Sequence, residues 1–369
     1  MIVESWLGIR NTSPVRSIPN NALSNAVDVD VDDVGIITQR NGFTFAKSFT
    51  NITSAYSTIA QRGYVVDSGI LYRVWPNLEP LAIAQCAATQ FDDRNEQLFT
   101  NDGLWVVDNI PTNIKIPSPD SPPKLTITSG NLPSGIYSVC YTYRSIASGI
   151  EGGTSPFTAI ELTDNLSSVY ITPIIPPDGY TVVYYTTDAG GSVYYNNDGS
   201  QLQQSQILAN PFPDDVEFIA WYNSRLWLSK TLPTGGSMLW FSDQYLYHSY
   251  DMVANYLIVP GQILAMESTN DGLLVGTESA IYLCDINSMQ KIVNYGVVPG
   301  RPFIRLPDGT VYIYTKVGLC VGMPFQNLTE NKYSYPPGIT CSTSFVEQNG
   351  IQKFVTLTDG SGVPYNARF

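Results

Sequence analysis

The sequence contains one histidine, His248, among 369 residues. That scarcity removes His-based metal centres by count and leaves a Ser–His–Asp mechanism a single base to use. His248 lies among tyrosines in FSDQYLYHSYD (241–251), and no G-x-S-x-G phrase presents a nucleophilic serine. A packed or solvated imidazole is therefore the expectation for this residue.

Basic side chains are few as well. There are 19 Lys and Arg against 32 Asp and Glu, for a net charge of −13. A general duplex-DNA binder neutralises phosphates with cations, so that class is excluded, whereas a surface past which DNA slides without sticking is not. The five cysteines, Cys86, Cys140, Cys284, Cys320 and Cys341, form no C-x-x-C pair. Neither a zinc site nor a disulfide framework is expected of them. Cys140, Cys284 and Cys320 fall inside apolar runs, where a buried free thiol is the ordinary state, and a reducing cytoplasm is the expected place of folding.

No apolar run approaches the ~20 residues of a membrane helix. The opening MIVESWLGIRN lacks the basic and apolar regions of a secretion signal. Phosphate-binding G-x-x-x-x-G-K-[ST] and dinucleotide-binding G-x-G-x-x-G phrases are missing. Glycoside hydrolysis needs only two suitably spaced carboxylates, and 32 acids supply such pairs by chance. The nearest approach to a sialidase box, TNDGLW (100–105), lacks its spacing. No catalytic, cofactor-binding or metal-binding residue is assigned, and no enzyme activity is expected.

One acidic stretch invites a metal reading. AVDVDVDDVG (26–35) places acids at 28, 30 and 32, as a calcium loop would. Counted from Asp28, however, the turn glycine is Asp33 and the closing glutamate is Gln39. The strand reading fits better, because Val27, Val29 and Val31 alternate with Asp28, Asp30 and Asp32 at a period of two.

What the chain does have is 24 tyrosines, 29 glycines and 25 prolines, with 43% hydrophobic and 14% charged residues. Aromatic and β-branched runs broken by turn formers predict an all-β protein of many short strands. Such runs include GYVVDSG (63–69), ILYRVW (70–75), LWVVD (104–108), FIAWYNSRLWLSK (218–230) and SMLWFSD (237–243). Others are QILAMESTNDGLLVGTESAIYLC (262–284), PDGTVYIYTKVGLCVG (307–322) and GIQKFVTL (350–357). The proline-rich PSPDSPPK (117–124) marks a boundary. Beyond it GIYSVCYTYRSIASGIEGGTSPF (135–157), SSVYITPI (167–174) and GYTVVYYTTDAGGSVYYN (179–196) predict a small sandwich of roughly 90 residues. Its tyrosines could line a carbohydrate-binding surface, although strand propensity and core packing account for them better.

An Asp-Gly turn precedes an apolar strand at Asp102-Gly103, Asp271-Gly272 and Asp308-Gly309. Strand and turn recurring at this interval is how propeller blades read, and roughly 270 residues outside the sandwich make about six irregular blades. The expected organisation is a β-propeller in two parts, 1–121 with an N-terminal strand and 214–369, carrying an immunoglobulin-like insert over 122–213.

The stretch WLGIRNTSPVRSIPNNALSNAVDVDVDDVGIITQRNGF (6–43) carries Gly8–Asn11, Leu23, Ala26–Asp32, Gly35 and Arg40–Phe43 in one order. It resembles the start of tail nozzle and packaged-DNA-stabilisation (head-closure) proteins of tailed bacteriophages. FIAWYNSRLWLS (218–229), LWFSD (239–243), ILAMESTNDGLLVGTESAIYLC (263–284) and VVPGRPF (297–303) look like consecutive blades of that family. The insert is similar to its embedded fibronectin-III-like module. The resemblance implies a structural virion protein, made in the host cytoplasm and placed in the tail or neck. Copies would form a homo-oligomeric ring, a hexamer, on the adaptor and portal, passing genomic DNA without specific binding during ejection. It carries no catalytic residue across. The chain is shorter than many nozzle proteins of short-tailed phages. The opening strand is expected to pair near the C-terminal end and close the propeller, and the ending VPYNARF (363–369) to leave little beyond the blades. A receptor-binding or carbohydrate-binding tail protein is the alternative.

Overall fold

The computed structural model describes residues 47–57, 62–75, 79–330, 337–348, 351–359 and 365–368, with short pieces (10, 17–19, 22–23, 29–31, 37–39) before them. The chain is all-β, and the one helix among the described residues is the short Gln204–Leu208.

Six four-stranded sheets account for most of the strands. The first runs through Ile52–Ser57, Gly63–Asp67, Ile70–Arg73 and Leu81–Gln85, and the second through Phe91–Arg94, Gln97–Thr100, Leu104–Val107 and Ile110–Asn113. The third holds Phe218–Tyr222, Arg225–Thr231, Ser237–Phe241 and Tyr256–Val259. The fourth holds Ile263–Ser268, Leu273–Thr277, Ile281–Asp285 and Ser288–Val293. The fifth holds Phe303–Arg305, Val311–Thr315, Gly318–Val321 and Gln326–Asn327. Each of these five is an antiparallel meander in chain order. The sixth, Cys341–Gln348, Ile351–Thr358 and Tyr365–Arg368, gains Gly300–Arg301 as a parallel edge strand, with Gly300 opposite Cys341.

Alternation along each strand explains how the sheets stack. In Leu273–Thr277 every residue is buried. Leu273 and Val275 pack toward the third sheet, against Trp227, Leu239 and Phe241, whereas Leu274 packs toward the fifth, against Phe303, Val311 and Ile313. A strand with two buried faces has no polar side, so it reads as a continuous apolar run rather than an alternating one. The same arrangement joins the other neighbours. Val66, Leu71 and Phe91 pack between the first and second sheets, Phe99, Ile219 and Leu228 between the second and third, and Tyr314, Leu319 and Phe354 between the fifth and sixth.

Each of the three Asp-Gly turns is followed by a strand, Leu104–Val107, Leu273–Thr277 and Val311–Thr315. The three Asp-Gly turns are not equivalent. Gly272 and Gly309 precede the second strand of their sheets, but Gly103 precedes the third strand of its own. Gly103 and Gly309 have φ of +90° and +87°, which favours glycine. Gly272 is held to glycine by space instead, since a Cβ there would lie 2.7 Å from Leu283 Cδ1. The first-to-second connections of the second and third sheets are two-residue turns, Asn95-Glu96 and Asn223-Ser224, with positive φ at both positions. That is the hairpin geometry matching strand twist, built here without glycine.

The strands from Leu125 to Tyr195 pair only among themselves. Leu125–Ser129 pairs with Ser167–Ile171, and a five-stranded sheet is organised around Gly135–Ser145 and Tyr180–Thr187. The chain enters and leaves this unit at adjacent points. A Cβ on Gly153 would meet both the Ala209 carbonyl oxygen and, at 2.9 Å, Ser118 Oγ. Tyr141 and Tyr185 are buried inside it, the packing role expected of its tyrosines.

At the N-terminus, Val29–Val31 pairs antiparallel with Ile37–Gln39. The expected pairing with a C-terminal strand is therefore not the one these residues make; the partner is close by in the chain, across a local hairpin. The remainder of 6–43, including most of the phrase that carries the phage resemblance and the side chains of the aspartate run, lies outside the described residues.

Candidate functional site

Of the residues weighed in the sequence, His248 sits where the self-paired strands of 125–195 meet the third sheet. It hydrogen-bonds the backbone of Glu151, and burial pushes its pKa down, against the pull of Asp243. Asp243 is engaged elsewhere, accepting hydrogen bonds from Ser249 (2.8 Å) and Asn255 (3.1 Å). Glu151 likewise is held by Tyr185 Oη (2.7 Å), by Thr142 and by both Nε and Nη2 of Arg144. The His248 contact thus ties the 125–195 strands to the loop that follows the third strand of the third sheet. All five cysteines are free and buried. Burial lifts the Cys140 and Cys284 thiols to about 12, with Glu151 adding to the effect at Cys140, so neither is a ready thiolate. Among the described residues, no group of three His, Cys, Asp or Glu side chains is placed to hold a metal, and no helix is long and apolar enough to cross a membrane.

The concentration of charge that sequence reasoning missed lies where the leading strands of the sheets converge. Its centre is Arg305 in the fifth sheet, with a side chain only 3% exposed. Arg305 Nη1 donates to Glu267 Oε1 at 2.6 Å and to Ser268 Oγ at 2.9 Å, both in the fourth sheet. Its Nη2 donates to the Asp93 carbonyl at 2.8 Å and lies 3.5 Å and 3.7 Å from the carboxylates of Asp92 and Asp93 in the second sheet. Asp93 Oδ1 accepts from Tyr56 Oη of the first sheet at 2.5 Å, and Asp92 Oδ2 accepts the backbone N–H of Trp221 in the third at 2.5 Å. Arg94 donates to Ser268 Oγ and lies over the Trp221 ring, 5.6 Å from its centroid. The cluster thus ties together five of the six sheets. The sixth joins through Arg301, whose Nη1 donates to the Ala55 carbonyl at 2.7 Å and whose guanidinium stacks 4.7 Å over the Tyr56 ring.

Three carboxylates face two guanidiniums in this buried space, and their titration reflects it. Burial, then the neighbouring Asp92, raises the Asp93 carboxyl, while Tyr56 and the arginines pull it back. Burial raises Glu267 to about 7 although Arg305 opposes the shift. Burial works to lower Arg305, but Glu267, Asp92, Tyr56 and Asp93 outweigh it and hold the cation firmly charged. Burial, then repulsion from Arg305 across the shared Ser268 hydroxyl, lowers Arg94. Perturbed carboxyls of this kind occur in active sites and in ion-pair networks alike. Here both terminal nitrogens of Arg305 are spent on protein acceptors, which makes the group a fastening between sheets. The signal in the sequence was FDDR (91–94), three consecutive charged residues within a strand, together with single charges in ILAMES (263–268) and FIR (303–305).

No family model matches the chain, and no curated protein does. Among solved structures it is similar to the extracellular domain of a protein described as a one-component system from B. thetaiotaomicron, at TM-score 0.28 and 10% identity. That match covers 95% of this chain and 61% of the other, so this chain spans under two thirds of it. It is also similar to a protein described as a glucose dehydrogenase-type oxidoreductase from Thermus thermophilus. There the TM-score is 0.25 and the identity 11%, over 74% of this chain and 91% of the other. Likeness at these TM-scores carries no argument about activity.

Proposed function

We propose that this chain is a structural subunit of a tailed-phage virion. In this reading it is a six-bladed β-propeller with a fibronectin-III-like insert. Copies assemble as a nozzle or connector ring, a hexamer, below the portal and adaptor, where the ring conducts or retains the genome. The observation that carries the architectural half is the succession of six four-stranded sheets, each packed on the next. The return contact from Arg301 to the first sheet supports closure. The adjacent entry and exit at Ser118 and Ala209 support an inserted module, since domains are inserted where chain ends lie close.

The functional half rests on the resemblance of residues 6–43 and of the blade phrases, and two physical points are consistent with it. The Arg305 cluster fills the place where the leading strands meet, so DNA would run between copies in a ring and not through one subunit. A net charge of −13 repels phosphates from a lumen wall and keeps DNA mobile. Mass spectrometry of gradient-purified particles from an infection that produces this chain tests the proposal. Constant copy number per particle is expected, and a chain confined to the unassembled lysate would overturn it.

The second reading, a receptor- or carbohydrate-binding tail protein, is favoured by exposed aromatic rings on the insert, Phe157, Tyr170 and Tyr195. Glycan binding that is lost when the insert is removed would support it. A glycan array without hits would count against it.

A further inference from the structure

The first and sixth sheets share no strand pairing among the described residues, so the closing contact between the two ends of the array is made by side chains. Arg301 reaches the first sheet directly, and the Arg305 cluster links the first and second sheets to the fourth and fifth across about 174 to 212 residues of chain. We propose that this cluster is a proton-dependent clasp, which closes the array of sheets tightly when its carboxylates hold one proton between them and loosens when that proton is lost.

Tyr56 comes from the first sheet, Asp92, Asp93 and Arg94 from the second, Glu267 from the fourth, Arg305 from the fifth and Arg301 from the strand paired with the sixth. The third sheet contributes a backbone N–H at Trp221 and no titratable group to the contact with Asp92. Arg301 is half-exposed, faces only the Ala55 carbonyl and the Tyr56 ring, and among the described residues pairs with no carboxylate, so the group behind it holds three carboxylates against Arg94 and Arg305. Fully ionised, that group carries one excess negative charge, and with side chains 3% exposed at Arg305, 5% at Asp92, 9% at Asp93 and 17% at Glu267, water compensates it only in part. With one proton bound it is neutral.

Geometry names the proton's site. Asp92 has both oxygens engaged by backbone donors, the N–H groups of Asp93 (2.8 Å) and Trp221 (2.5 Å). Glu267 and Asp93 are the carboxyls that burial raises. The sign follows from Glu267, whose ordinary value is 4.5 and whose folded value is about 7. Between those values the folded chain holds a proton that the unfolded chain has released. The stabilisation is complete below the ordinary value and is lost as pH rises through about 7.

Urea unfolding of the full chain at about pH 5.5 and about pH 8 tests the clasp. The wild-type midpoint is expected to be lower at the higher pH. Glu267→Gln, which is neutral at both, is expected to remove at least half of that drop and to exceed wild type at the higher pH. The exposed control Glu79→Gln is expected to keep the full drop. A wild-type midpoint that is flat or rises across the interval overturns the proposal, as does a Glu267→Gln variant that keeps the whole drop. Should Glu267→Gln not fold, Asp93→Asn decides by the same comparison.

Discussion

Arg305 touches residues of the second and fourth sheets from its own place in the fifth, and its removal leaves three carboxylates facing Arg94 alone. Breaking a buried pair from one side costs more than the pair contributes, because the remaining charges stay buried. Arg305→Met is therefore expected to lose about 3–5 kcal/mol in denaturant unfolding. A loss below about 1 kcal/mol would mean that the acids simply take up protons and the guanidinium holds nothing together. This residue was illegible beforehand, because the arginine in FIRLPDG (303–309) looks like any strand-end charge until its partners are brought in from distant strands. The cysteines were legible for the opposite reason. Cys140, Cys284 and Cys320 lie in apolar runs, and local pattern alone fixed their burial.

At the scale of the element, strands were readable and the turns less so. ILAMES (263–268) and LLVGT (273–277) announce themselves by composition, and the structure places a strand on each. The hairpins at Asn95-Glu96 and Asn223-Ser224 were harder to find because they lack the Asn-Gly or Asp-Gly pair that marks such turns. A consequence can be measured at Ser224, whose φ is +59°. Its backbone carbonyl accepts from Tyr245 N–H (2.8 Å), a bond that glycine keeps. Ser224→Gly relieves the left-handed strain and is expected to raise stability by up to about 1 kcal/mol. A drop in thermal midpoint would show instead that the serine side chain itself matters. The N-terminal strand was recognised by its alternation, but alternation does not name a partner, and the nearest available strand, Ile37–Gln39, took the pairing.

At the scale of the whole molecule, the proline-rich PSPDSPPK (117–124) lies just before Leu125, where the strands that pair only among themselves begin. Phe212 is buried and meets Tyr250 edge-on at 5.9 Å, within the core between the second and third sheets. Replacing 119–208 by a short Gly/Ser linker joins the two points that flank Gly153, and calorimetry is expected to show that the remaining sheets still unfold cooperatively. A deletion carried through residue 213 also removes Phe212, and about 3–5 kcal/mol more should be lost. Equal melting of the two deletions would contradict the assignment of Phe212 to that core.

The proposed ring would involve surfaces between copies, which neither periodicity nor the contacts within one chain reveal. The most direct measurement is therefore cryo-electron microscopy of intact particles that carry this chain. The account predicts a closed ring of copies around the DNA path below the portal and adaptor, with each subunit's Arg305 cluster shut and the lumen lying between subunits. Copies projecting outward at the distal tip, or DNA threaded through the centre of a single subunit, would contradict it.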